Sequence, residues 1–140
     1  MHNYVRLIGI DVGKKRVGIA QTDLLKTIAS TVGTFSPEEA ITEIKKITDK
    51  ETVEKFVVGW PLSLKGEEGS ATQMVQEFIN KLRQAFPNIE IAKVDERYTS
   101  NQARDIMIKT GIPKKKRQQK GRVDQIAAAI ILQNYLDTNT

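Results

Sequence analysis

Residues 5–20 constrain the fold more than any other stretch. Tyr4–Ile10, with the apolar run Val5-Arg6-Leu7-Ile8-Gly9-Ile10, reads as a strand that runs into Asp11, turns at Gly13 among Lys14, Lys15 and Arg16, and returns as a second strand over Arg16–Gln21. So short a connection makes the two strands antiparallel neighbours. An acid ending a buried strand, with glycines beside it that admit a ligand or another backbone, is poorly explained by packing alone. Asp11 is therefore the first candidate functional residue, set against its plainer role as a turn-capping aspartate.

The rest of the chain extends this hairpin in order. Ile28–Phe35 reads as a third strand, and Ser36-Pro37-Glu38-Glu39 as a capping box that opens a helix running to about Lys50. Val53–Gly59 reads as a fourth strand; because a helix leads into it, it is expected to lie parallel to the first. Trp60–Gly69 reads as a loop, followed by a helix capped by Ser70 and Gln73 that carries an inward stripe of Val75, Phe78, Ile79, Leu82 and Phe86. Ile89–Val94 is the fifth strand and runs directly into Asp95-Glu96. A further helix is expected from Thr99 to Gly111, and a largely buried one over Val123–Leu136. This order predicts an α/β fold, a five-stranded mixed sheet with helices on both faces, formed by one domain over residues 1–140.

Ligands of such sheets sit beyond the carboxyl ends of the parallel strands. Asp11 and one of Asp95 or Glu96 would meet there, and local alternation does not say which of the two. Asp124, placed in the first turn of the last helix, is a third candidate, although an acid there also suits the helix dipole. Three converging carboxylates repel one another unless a cation joins them. With no cysteine and a single histidine at position 2, oxygen ligands and Mg²⁺ or Mn²⁺ are the expected combination. The formal charge of +5 points to an anionic partner. Six of the nine residues from Lys114 to Arg122 are cationic and none is acidic, which reads as a solvated, mobile loop. Phosphodiester hydrolysis fits these features: Lys14, Lys15, Arg16 and Arg97 would lie near the scissile phosphate. Lys114, Lys115, Lys116, Arg117, Lys120 and Arg122 would hold flanking phosphates of a nucleic acid. With no bilayer-length apolar run and no signal peptide, a soluble, cytoplasmic protein with no membrane partner is expected.

Four motifs carry a resemblance that spans nearly the whole chain. They are Ile8-Gly9-Ile10-Asp11-Val12-Gly13 with Arg16-Val17-Gly18-Ile19-Ala20; Val58-Gly59-Trp60-Pro61-Leu62 with Gly66 and Gly69; Val94-Asp95-Glu96-Arg97-Tyr98-Thr99; and Asp124 with Ile126-Ala127-Ala128. Together they resemble the YqgF family, also called RuvX, which is similar to the RuvC Holliday junction resolvases and has the RNase H-like fold. The resemblance implies a metal-dependent nuclease using Asp11, Glu96 and Asp124, and so selects Glu96 over Asp95. It also implies a substrate that is either the 5′ end of pre-16S rRNA or a Holliday junction, the latter calling for a homodimer. This chain departs from the pattern in three places. Only Ala127 and Ala128 stand where RuvC-type resolvases carry a further carboxylate, which implies a weaker metal site or one completed by substrate phosphate. Trp60 replaces an aliphatic residue and reads as a partly buried loop anchor rather than a base-stacking platform, and Ser70 replaces proline. Two other classes share features with the sequence: a phosphotransferase of the actin and sugar-kinase type, for which one 140-residue chain supplies only half, and a non-catalytic RNA- or ribosome-binding protein.

Overall fold

Apolar alternation along the strands gives this sheet two hydrophobic faces, and each is covered by helix. The computed structural model describes residues 4–63, 65–96 and 120–138, with the backbone alone for 120–123. Strands β1 (Arg6–Val12), β2 (Val17–Thr22) and β3 (Ala29–Phe35) form an antiparallel meander. β4 (Val53–Trp60) and β5 (Glu90–Asp95) lie parallel to β1, giving the order β3-β2-β1-β4-β5. This is the expected mixed sheet, with β1, β4 and β5 ending along one edge.

On one face, α1 (Pro37–Lys50) and α2 (Ser70–Ala85) cover Ile8, Ile10, Val17, Ile19, Phe56 and Val58 through Ile44, Val75, Phe78, Ile79 and Leu82. On the other face α3 (Lys120–Thr138) lies across β1, β2, β3 and β4, with Ala128, Ile131, Leu132 and Leu136 against Leu7, Ala20 and Val57. Glycines set how closely α3 approaches. A Cβ at Gly9 would stand 2.8 Å from the Ala128 carbonyl oxygen, and one at Gly18 would overlap the main chain of Asp124. Side chains at these positions would push the helix off the sheet. At the opposite end, Arg6 joins three elements: its Nε and Nη2 donate to the two Glu51 carboxylate oxygens, each at 2.9 Å, and Nη1 donates to the Thr22 carbonyl at 2.6 Å.

Several boundaries differ from expectation. β1 continues through Asp11 to Val12, because Val12 is buried and pairs with Val17, while Tyr4 is exposed and precedes the strand. Trp60 is the last residue of β4 rather than the first of a loop, since it still pairs with Asp95. α1 begins as predicted, with Ser36 Oγ accepting from the Glu39 amide. α2, however, is capped by Gly69 and Thr72 in place of Ser70 and Gln73: Thr72 Oγ1 accepts from the Gly69 amide at 2.9 Å and donates to its carbonyl at 2.7 Å. α3 starts at Lys120, so Lys120, Gly121 and Arg122 belong to the helix and not to a loop, and Asp124 sits in its second turn rather than its first. Lysine and arginine are good helix formers, and one glycine costs a helix only about 1 kcal/mol. The helix expected at 99–111 and the cationic residues 114–119 lie outside the described residues.

Candidate active site

Because side chains alternate along a strand, the face that each acid occupies follows from its neighbours. Leu7 packs under α3, so Asp11, four residues on, faces α3. Val57 packs there as well, which puts Gly59 on the same side. Asp11 pairs with Gly18 in β2, and the Ile10–Val58 pair places it level with Gly59 in β4. The acid is therefore flanked on both neighbouring strands by residues without side chains. On β5, Val94 packs toward α3 whereas Ile91 packs toward α1 and α2. Alternation thus turns Glu96 toward Asp11 and Asp95 toward the opposite face, which settles what the local pattern left open.

The Glu96 carboxyl reaches back over Gly59, where a Cβ would stand 2.7 Å from Oε2, and forms a hydrogen bond with Asp11. Two carboxyl groups share such a bond only when one of them keeps a proton. Burial pushes the Glu96 carboxyl up to about 10, reinforced by the hydrogen bond to Asp11 and by the charges of Asp11, Asp95 and Asp124. Burial also raises Asp11, while the hydrogen bond with Glu96 works in the opposite direction. Both partly buried carboxyls are thus pushed toward their protonated forms, and the hydrogen bond between them needs a proton on one of the two. Asp124 acts on this pair through its charge, and its main chain presses against Gly18, the β2 partner of Asp11.

The donor set consists of hard carboxylate oxygens in a partly enclosed position, which suits Mg²⁺ or Mn²⁺. Among the described residues no three acidic side chains, as placed, stand close enough to hold one ion. Magnesium is commonly held by one or two carboxylates with water and substrate phosphate completing the shell. The Asp11–Glu96 pair, with Asp124 nearby, meets that simpler requirement. Lys14, Lys15 and Arg16 are exposed in the β1–β2 turn, which closes through the Gly13 amide donating to the Arg16 carbonyl at 2.8 Å. They are three to five residues beyond Asp11 at the same sheet edge. Lys120 and Arg122 stand in the first turn of α3. Arg97, Lys114, Lys115, Lys116 and Arg117 lie outside the described residues.

Residues 5–138 match the RuvX family, described as Holliday junction resolvase. The chain belongs to the RuvX family. Its relatives include proteins named "Putative pre-16S rRNA nuclease" from Salinibacter ruber and Chlorobium phaeobacteroides. They are 43% and 45% identical over 132 residues, covering 94% of this chain and 92% of each relative. The structure of T. thermophilus RuvC in complex with a Holliday junction substrate aligns over 97% of both chains, with a TM-score of 0.56 and 14% identity. The fold of this RuvX chain is thus the RNase H-like fold.

In this RuvX chain the indole of Trp60 is partly buried against the α1/α2 face, with Nε1 donating to Glu68 Oε2 at 3.0 Å. Lys93 Nζ lies 4.0 Å from its ring centroid. Trp60 is thus an anchor, as expected, but one at a strand end beside Glu96. Glu68 and Lys93 gave no signal in the sequence: a loop glutamate and a strand lysine are ordinary surface residues.

Proposed function

We propose that this RuvX protein is a metal-dependent endonuclease that hydrolyses nucleic-acid phosphodiester bonds and trims the 5′ end of pre-16S rRNA in the cytoplasm. The hydrogen-bonded Asp11–Glu96 pair carries this reading. A fold gains no stability from enclosing two acids at one sheet edge, and such an arrangement suits a site that exchanges the shared proton for a cation. Asp11, Glu96 and Asp124 would hold Mg²⁺ or Mn²⁺. A divalent cation bound there supplies Lewis-acid activation of water and charge for the departing oxygen. The exposed Lys14, Lys15 and Arg16 would grip the phosphate next to the bond being cut, and Arg97 with the cations at 114–117, 120 and 122 would hold the flanking backbone. One domain over residues 1–140 suffices for this activity.

The names of the relatives support precursor ribosomal RNA as substrate. A second reading, cleavage of a four-way DNA junction by a homodimer, is favoured by the family's description. Both substrates, assayed side by side in Mg²⁺, Mn²⁺ or EDTA, separate the two. Metal-dependent trimming of an RNA that carries the 16S leader, with the junction left intact, is the expected result. Paired symmetric cuts in the junction alone would select the second reading, and binding of the RNA without cleavage in either metal would select a scaffold.

A further inference from the structure

A carboxyl that is to face another carboxyl across a hydrogen bond needs a main chain that does not yield, yet Glu96 lies just beyond the end of β5. Strand ends fray, and the β4–β5 ladder stops at the Trp60–Asp95 pair. What extends the ladder by one residue is the Trp60 carbonyl, which accepts from the Glu96 amide at 3.2 Å and from the Leu62 amide at 3.1 Å. The Glu96 main chain therefore hangs from Trp60, while its carboxyl folds back over Gly59.

Three tethers hold Trp60 from the opposite face of the sheet. Its ring packs against the core beneath α1 and α2. Lys93 Nζ stands 4.0 Å above the ring and also donates to Gln76 Oε1 of α2 at 3.0 Å. Its indole N–H donates to Glu68, eight residues along, at 3.0 Å. A leucine or phenylalanine would fill the same space, but neither could take a cation on its face and also donate from its edge to an acceptor, as the indole does here.

We infer that Trp60 is a positioning residue for Glu96, its indole fixed by Glu68 and Lys93 so that the strand end carrying the carboxyl stays in place for a divalent cation. The inference rests on the nuclease reading above and adds to it a part of the site that lies on the other side of the sheet. Glu68 is exposed, so its replacement leaves folding intact.

The test titrates Mg²⁺ into wild type, Glu68→Ala, Glu68→Gln and Lys93→Met, following emission from Trp60, the only tryptophan in the chain, and the thermal upshift that Mg²⁺ produces. Cleavage kinetics are measured alongside. Glu68→Ala is expected to weaken Mg²⁺ binding roughly tenfold, at the low end for residues that orient metal ligands. Its KM for nucleic acid should stay at the wild-type value while kcat at limiting Mg²⁺ falls. Glu68→Gln, which keeps an acceptor for the indole, should restore most of the affinity, and Lys93→Met should fall with Glu68→Ala. Wild-type Mg²⁺ affinity in Glu68→Ala overturns the inference, as does a change in KM shared equally by Glu68→Ala and Glu68→Gln. An Asp11→Asn control separates the two levels. If wild type responds to Mg²⁺, Asp11→Asn does not and Glu68→Ala matches wild type, the positioning role alone falls; if wild type itself ignores Mg²⁺ and cleaves nothing, the nuclease reading falls and takes this role with it.

Discussion

Replacing Glu96 by glutamine should make the metal-free protein more stable while removing its activity, which is opposite to the usual effect of altering an enclosed side chain. Glu96 is held up to about 10 in the fold, against 4.5 when unfolded. An acid raised on folding contributes most below its unfolded value and loses that contribution as pH rises toward its folded value. Below about pH 4.5 the two states are protonated alike. At pH 7, about 2.5 units higher, the unfolded glutamate has released its proton and the folded one has not, which costs about 3 kcal/mol at 1.36 kcal/mol per unit. Partial solvent access at the sheet edge reduces this to about 1–3 kcal/mol. Glutamine has nearly the same shape, does not titrate and still offers Asp11 an N–H donor. Urea unfolding in EDTA at pH 5, 6, 7 and 8 measures the difference. The two proteins should nearly coincide at pH 5, with the variant gaining steadily above it. Saturating Mg²⁺ should then close or reverse the gap, because it binds the wild-type pair preferentially. A variant less stable at pH 7, or a gap that does not change with pH, refutes the shared-proton account.

Packing and charge decide the outcome of four other perturbations. Gly18→Ala places a methyl on the Asp124 main chain, so chemical denaturation should show a destabilisation of about 3 kcal/mol or more. Gly59→Ala meets first the side-chain ends of Ile131 and Glu96 and should cost about 1–3 kcal/mol, with cleavage suffering more than stability. Arg6→Ala removes a two-pronged, partly buried pair with Glu51 and should lower unfolding free energy by about 1–3 kcal/mol, with little change in Mg²⁺ affinity. Replacing Lys114, Lys115, Lys116 and Arg117 by alanine should flatten the plot of log affinity against log salt by about 0.7–0.9 for each phosphate that is no longer neutralised; an unchanged slope would put the binding surface elsewhere.

The strand order could be read from the chain because each parallel strand is reached through a helix with an apolar stripe and a recognisable end, as in Ser36-Pro37 for α1 and Pro87 beyond α2. The choice of Glu96 over Asp95 comes from the family resemblance and not from the local pattern, because β5 carries apolar residues on both faces, Ile91 toward α2 and Val94 toward α3. Only the seating of α3 distinguishes those faces, and that seating depends on Gly9 and Gly18, whose missing side chains announce a close approach without naming what approaches. The start of α3 was obscured because a run of lysine and arginine is compatible with helix and with loop alike. Trp60 reads from the sequence as a partly buried loop anchor, and it is an anchor at the end of β4. Its partners were not legible, since Glu68 and Lys93 reach it through the fold, from the loop and from the next strand.

The most direct test of the central claim compares wild type and Asp11→Asn for cleavage and for binding of an RNA carrying the 16S leader, in Mg²⁺ and in EDTA. The account predicts that wild type cuts only with the metal, and that Asp11→Asn binds the RNA at least as tightly but does not cut it, because a carboxylate that held the cation and repelled phosphate has become neutral. Equal cleavage by the two proteins, or cleavage by wild type that survives EDTA, would contradict it.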